Sequence, residues 1–267
     1  MKWLEKIGLV KQKPQQKPRS GNVPTINAPA ANPATNTPVK VATAQNKESP
    51  SYEQLIERAR LANDAATATD LWRQVLASKP ENLATWKEAV TALTKLQAID
   101  AVDAVLCEAV KLFPGELELW YDWGRSAMVR RLPIEEARRW LHMRNQFPKH
   151  VHGYLCGARL ARKQQQYQAA EQLVADGIIR IGADKRLLLE QANCAEAQSN
   201  WPLAVSRWEA LEAASALDAT SVASFALALV KVGKLEDAEA RAQAGLNKYP
   251  GDAALQRALK DIQKASN

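Results

Sequence analysis

From Ser51 onward the chain is a succession of amphipathic stretches of helix length, each apolar on one face and polar on the other. They predict paired helices at 51–62 and 66–78, 83–96 and 99–112, 117–130 and 133–146, 151–164 and 167–180, 185–198 and 201–214, and 219–232 and 235–248. A last helix is predicted at 252–264, with Lys260, Asp261, Gln263 and Lys264 near its end. Before Ser51 this pattern is missing. Residues 12–50 carry seven of the thirteen prolines (Pro14, Pro18, Pro24, Pro29, Pro33, Pro38 and Pro50) among Asn, Ala, Thr, Gln and Lys, without hydrophobic period. So little apolar area does not offset the entropy of ordering the chain, which predicts a disordered linker over 14–50.

One spacing organises the helical part. Pro80, Pro114, Pro148 and Pro250 fall on a grid of 34 residues, and Gly182 and Ala216 occupy its two vacant points. Six places after the grid stand Trp86, Trp120, Tyr154, Leu188 and Val222, with Tyr52 in the first repeat. Small residues recur in the same period at Ala68, Ala170, Ala204 and Ala238, with Val102 and Glu136 as departures. One helical turn beyond each lies a mostly bulky partner: Trp72, Leu106, Trp140, Val174, Trp208 and Ala242. Two helices and two short turns fill such a unit, and one hairpin cannot bury its own apolar faces, so neighbours must stack. Proline suits the boundary because it cannot continue a helix but fits the first turn of the next.

Trp120, Trp123, Gly124 and Pro148 in the third unit, and Phe225, Ala226, Ala238, Gly245, Leu246 and Pro250 in the sixth, resemble the tetratricopeptide signature over about residues 49–252. The resemblance implies an all-α fold: six 34-residue repeats plus a capping helix, stacked as antiparallel pairs into a right-handed α-solenoid spanning 51–267. The signature consists of packing positions, so it speaks for a fold and leaves function to the remaining residues.

Composition agrees, since glycine is sparse and Ala, Leu, Glu, Gln, Lys and Arg abound. The net charge of +7 is uneven: residues 1–50 hold eight Lys/Arg against Glu5 and Glu48, which leaves 28 basic and 27 acidic residues in the rest. A nearly neutral body argues against nucleic acid as the partner. Cys107, Cys156 and Cys194 are isolated and read as core residues of a reduced, cytosolic protein. Glu5 and Lys6 interrupt the apolar residues at the N-terminus, and no later run approaches the roughly 20 apolar residues of a membrane span.

No catalytic, cofactor-binding or metal-ligating constellation is expected, and no small-molecule substrate. His150 and His152 flank the Pro148 turn without ligand spacing, and the chain has no phosphate loop or nucleophile elbow. The tryptophans at repeat-packing positions are expected in the core rather than as stacking platforms for bases. The resemblance implies a concave ligand surface lined by the first helix of each pair. The residues expected there are Lys87, Thr91, Thr94, Lys95, Tyr121, Arg125, Met128, His152, Leu155, Arg159, Arg162, Lys163, Arg186, Leu189, Asn193 and Glu196. Its cations favour an acidic peptide or helix of a protein partner. The chaperone-adaptor clamp of the family is not reproduced, because Thr91 stands where that clamp has Asn. In Met1–Lys13, Trp3, Leu4, Ile7 and Val10 form a helical stripe amid Lys2, Lys6, Lys11 and Lys13, a second docking element for a protein groove or an anionic membrane surface. Together these residues describe a cytoplasmic, non-catalytic scaffold, peripheral to the inner face of a membrane if the peptide meets lipid. The alternatives are an RNA-processing scaffold of the related half-repeat type and an accessory subunit of a membrane-associated envelope-polymer or secretion assembly.

Overall fold

The computed structural model describes residues 50–215 and 217–266; the amphipathic peptide at 1–13 and all but the last residue of the predicted linker lie outside them. Among the described residues the secondary structure is helical: α1 Tyr52–Leu61, α2 Ala65–Ala77, α3 Leu83–Lys95, α4 Ile99–Leu112, α5 Leu117–Val129, α6 Pro133–Gln146 and α7 Val151–Lys163 come first. They are followed by α8 Tyr167–Ile181, α9 Lys185–Ala197, α10 Trp201–Ala214, α11 Ala219–Lys231, α12 Leu235–Lys248 and α13 Ala253–Ser266. Every bound lies within two residues of the sequence expectation. Residues 55–267 form one compact unit, in which each helix from α2 on packs on the next in the chain and α7 on α9 and α11 on α13 as well. Of the other unit, 1–54, the described part is the start of α1, where Ser51 and Gln54 exchange backbone-to-side-chain hydrogen bonds in a capping box.

The periodic residues have identifiable jobs. The Nε1–H of Trp86 donates to the Pro80 carbonyl at 2.9 Å, that of Trp120 to Pro114 at 3.1 Å, and the Tyr154 hydroxyl to Pro148 at 3.0 Å. A grid carbonyl left by the chain as it turns between repeats is thus satisfied by the aromatic donor six residues on. Leu188, six after Gly182, has no donor to offer; there α8 ends on Gly182 at φ +99°, a left-handed conformation that suits glycine. Helix starts are tied by Asp64, Asn82, Asp184, Asn200, Asp218 and Asp252, each accepting from a backbone N–H of the first turn.

The core runs through the small-and-bulky pairs. Ala68, Ala170, Ala204 and Ala238 are fully buried, as are Trp72, Trp140 and Trp208, which stand two periods apart from one another. Burying a tryptophan removes roughly 200 Å² from water, a gross gain of about 5 kcal/mol at 25 cal/mol per Å². Glu136, the acid at a small-residue position, is explained by Trp140: its carboxylate accepts the Trp140 Nε1–H at 3.1 Å. The Trp140 ring lies on Gly124, where a Cβ would collide with it. In α13, Leu255, Ala258 and Ile262 close the end of the core, while Lys260, Asp261, Gln263 and Lys264 are exposed, as a terminal helix of a stack requires.

Candidate functional site

Among the first helices of the pairs, α3, α5, α7 and α9 carry the expected groove residues, and the structure sorts these by what holds them. Lys87 of α3 pairs with Glu118 of α5 at 2.7 Å and with Glu116 at 3.7 Å. Arg162 of α7 makes a two-point contact with Glu190 of α9 at 2.6 and 3.3 Å, and Arg159 reaches the same carboxylate at 3.4 Å. Arg60 holds Glu88 in the same spacing, 28 residues ahead, at 2.6 and 3.0 Å. Arg186 folds back on Asp184, the cap of its own helix, at 2.8 Å. Most of the expected surplus of cations is therefore neutralised within the chain. Apart from the cap residues Glu116 and Asp184, these acids stand on adjacent first helices.

Three of the expected cations, Lys95, Arg125 and Lys163, have no carboxylate partner among the described residues, and Lys163 is exposed at the end of α7. Lys95 is exposed at the end of α3. It borders a cleft of about 470 Å³ with Arg60, Lys87, Glu88 and Thr91. Arg125 is exposed on α5, its guanidinium 5.7 Å from the Tyr121 ring centre. Tyr121 in turn packs at a tilt against His152 of α7, 4.4 Å between ring centres, and His152 against His150 at 4.8 Å. Beside this aromatic row, Asp122 is half-buried, and desolvation raises its carboxyl above the ordinary aspartate range despite the charge of Arg125. Met128 is exposed, Asn193 half-buried. Leu155 is a correction: it is 3% exposed within a core cluster with Val151, Tyr154, Ala158, Val174 and Leu187, so it offers no ligand surface. Its period-mates Lys87 and Tyr121 suggest the groove, but an aliphatic chain facing Leu187 of α9 gains more by burial. Glu196 likewise turns inward, accepting the Trp208 Nε1–H at 2.7 Å.

The second helices hold charged devices that the sequence reading did not assign. Arg139 of α6 bonds both carboxylate oxygens of Asp103 on α4, the Trp123 carbonyl on α5 at 2.7 Å and Ser126 Oγ at 2.8 Å. Arg207 of α10 does the same one pair of repeats later, taking Glu171 of α8 at 2.6 and 2.8 Å and the Gln191 carbonyl of α9 at 2.7 Å. Each is a clamp from one second helix to the preceding one across the first helix between them. The signal was present: an arginine 36 residues after an acid, twice, 68 residues apart. Between these clamps the place is taken by Arg144 of α6, which lies over Gly153 and Gly157 of α7 and donates to the Gly153 carbonyl at 3.0 Å.

Burial pushes the Cys156 thiol up to about 11 and that of Cys194 up to about 12, which keeps both protonated at neutral pH and poor as nucleophiles. Burial lowers the three histidines below their usual value, so they are mostly neutral there. Among the described residues no group of three His, Cys, Asp or Glu is placed to hold a metal ion, and no helix is long and apolar enough to cross a membrane.

No protein-family model matches the sequence, and the curated proteins contain no match. Solved structures do resemble the fold. A tetratricopeptide repeat protein from Parabacteroides merdae superposes with a TM-score of 0.58 at 16% identity, covering 80% of this chain and 86% of that one. PilW, a type IV pilus biogenesis factor, gives 0.58 at 17% identity over 78% of this chain and 96% of its own. YrrB, a protein of the same repeat type with an unusual peptide-binding site, gives 0.52 at 12% identity over 71% and 97%.

Proposed function

We propose that this chain, which has the tetratricopeptide-repeat fold, is a non-catalytic scaffold that holds an acidic peptide or helix of a partner protein against its first helices around Arg125. The observation that carries the reading is the state of that arginine. Its neighbours in the row are tied to Glu118, Glu190 and Asp184, whereas Arg125 is exposed, rests over Tyr121 and has no carboxylate among the described residues. A guanidinium of this kind is held by the ring and offers its planar donor fork outward, a geometry suited to a carboxylate. The Tyr121–His152 pair and Met128 supply apolar surface beside it. A peptide-binding site on YrrB is consistent with such use of the fold. The fold itself leaves the choice of ligand to these side chains.

The test uses a fluorescein-labelled peptide of alternating glutamate and leucine, with its glutamine counterpart as control. The glutamate peptide binds more tightly in fluorescence anisotropy, and Arg125→Glu weakens it by about tenfold or more. That factor is the loss of one charge-assisted hydrogen bond of roughly 1.5–3 kcal/mol, with 1.4 kcal/mol per decade of affinity. Equal affinity for the two peptides, or an Arg125→Glu variant that binds as the original chain does, removes the reading.

A further inference from the structure

The clamp position recurs a third time, at Arg241 of α12, one period after Arg207, and here no acid stands at the clamp register, the arginine pairing instead with Glu212, 29 residues before it. Sixteen residues before the arginine stands Phe225, in register with Trp123 and Gln191. Thirty-six before it, where the other clamps have Asp103 and Glu171, stands Val205, itself buried on α10. Arg241 nonetheless keeps the pose of a clamp. Its guanidinium lies 3.9 Å from the Phe225 ring centre, one Nη meets Glu212 of α10, and its side chain is 27% exposed. Its Nε is shut away from water with no hydrogen-bond partner. In the Arg139 clamp that nitrogen is taken by Glu135, one turn back, at 2.8 Å. Asp237 stands one turn back from Arg241 and makes no such bond, and Leu203 is the residue one turn back from Arg207.

The consequence is an open cleft of about 630 Å³ between α10 and α12, with Phe225, Leu217, Val222 and Leu229 as apolar lining. Around it exposed Lys234 and Lys248 face exposed Glu209 and Asp237, and exposed Glu212 is paired with Arg241. Two other second-helix junctions lack the clamp pair: at one, Thr69 and Val105 stand in the acid and arginine places and a cleft of about 370 Å³ opens; at the other, Ala137 and Leu173 stand there and Arg144 lies over Gly157. Of these two clefts, the one at Arg241 retains the clamp cation.

We propose that the cleft between α10 and α12 is a docking site for a partner segment carrying an aspartate or glutamate beside an apolar side chain, its carboxylate taking on Arg241 the place that Asp103 and Glu171 take on Arg139 and Arg207. The chain itself supplies the precedent, since the same arginine in the same register binds a carboxylate twice elsewhere. The apolar lining accepts the neighbouring side chain, Glu212 keeps one Nη of Arg241 and leaves its other nitrogens to the incoming carboxylate, and Lys234 and Lys248 offset the repulsion of Glu209 and Asp237. This site lies on the second helices and is independent of Arg125.

The experiment records arginine Nε–H and backbone amide NMR signals of the full chain while adding N-acetyl-leucyl-glutamate N-methylamide, with the glutamine analogue as control. The expected result is a saturable shift of the Arg241 Nε–H and Phe225 amide signals with the glutamate probe, at least tenfold weaker with the glutamine probe. Arg241→Met, which keeps the apolar contact with Phe225, abolishes the Phe225 response, and Arg125→Glu leaves it unchanged. Equal shifts with both probes, or an unchanged Phe225 response in Arg241→Met, overturn the proposal. Val205→Glu is a second, independent arm: an internal carboxylate completes the clamp and reduces probe affinity at least tenfold. Should that variant fold and still bind the probe as before, the assignment of the vacant place is wrong.

Discussion

Gln97, Arg131, Gln165, Ser199 and Gly233 stand at one register, in the turn inside each hairpin from the second repeat to the sixth, and all five have positive φ, between +55° and +79°. Each turn is closed in the same way: the following residue's N–H reaches the carbonyl five back, as Ala98 to Leu93 and Gln166 to Ala161. A side chain in this left-handed conformation costs roughly 1–2 kcal/mol, offset in part because glycine loses more entropy on folding. Replacing Gln97 or Gln165 by glycine is expected to stabilise the chain by about 0.5–1 kcal/mol. Urea denaturation midpoints check this, and a lower midpoint for both variants would refute it. Since only Gly233 among the five is a glycine, the sequence marked these turns by their polarity and by the period. Their backbone geometry was not legible.

Within an element, α6 shows how far the period carries and where it stops. Its bounds, Pro133 at its start and Trp140 on its core face follow from the grid, because packing positions repeat wherever the same neighbours repeat. Arg144 breaks the rule: its period-mates Val110 and Leu76 are buried and apolar, yet the arginine is accommodated because Gly153 and Gly157 leave α7 bare beneath it. Desolvation lowers the guanidinium below its usual range, the charges of Tyr154 and Asp176 only partly opposing it, and no carboxylate bonds it. Its two compensations are the Gly153 carbonyl and the Tyr154 ring 6.0 Å away. A charge so poorly paired is worth less than methionine of similar length. Arg144→Met is therefore expected to raise unfolding stability by about 1 kcal/mol. Calorimetry decides, and a fall in the melting midpoint would show that the carbonyl bond outweighs desolvation. The same limit explains the groove: a row of first-helix positions is legible from spacing, but whether Lys87 or Arg159 faces a ligand depends on an acid one repeat away.

At the scale of the whole stack, stability is a sum of repeats and the interfaces between them, and the clamps act at those interfaces. In the Asp103 clamp, burial pushes the carboxyl up, but hydrogen bonds from Arg139 and Ser126 and the charges of Arg139 and Arg130 outweigh it and hold it below the ordinary value. Arg139 is only 4% exposed in its side chain, so Asp103→Ala leaves a buried guanidinium short of its main partner. The expected cost is about 3–5 kcal/mol, and pairing Asp103→Leu with Arg139→Met restores most of it, because no charge is then stranded. The pH dependence has a definite sign. A carboxyl depressed in the folded chain stabilises it above the unfolded value of 3.8, and that contribution is lost as pH falls through the lower folded value. Asp103→Ala should therefore flatten the acid limb of stability against pH. Because neighbours couple only to neighbours, native-state hydrogen exchange should lose protection in α4, α5 and α6 while α11, α12 and α13 keep theirs. Equal loss along the entire chain would mean that the stack unfolds as one cooperative block, and the clamp would then not be a local staple between repeats.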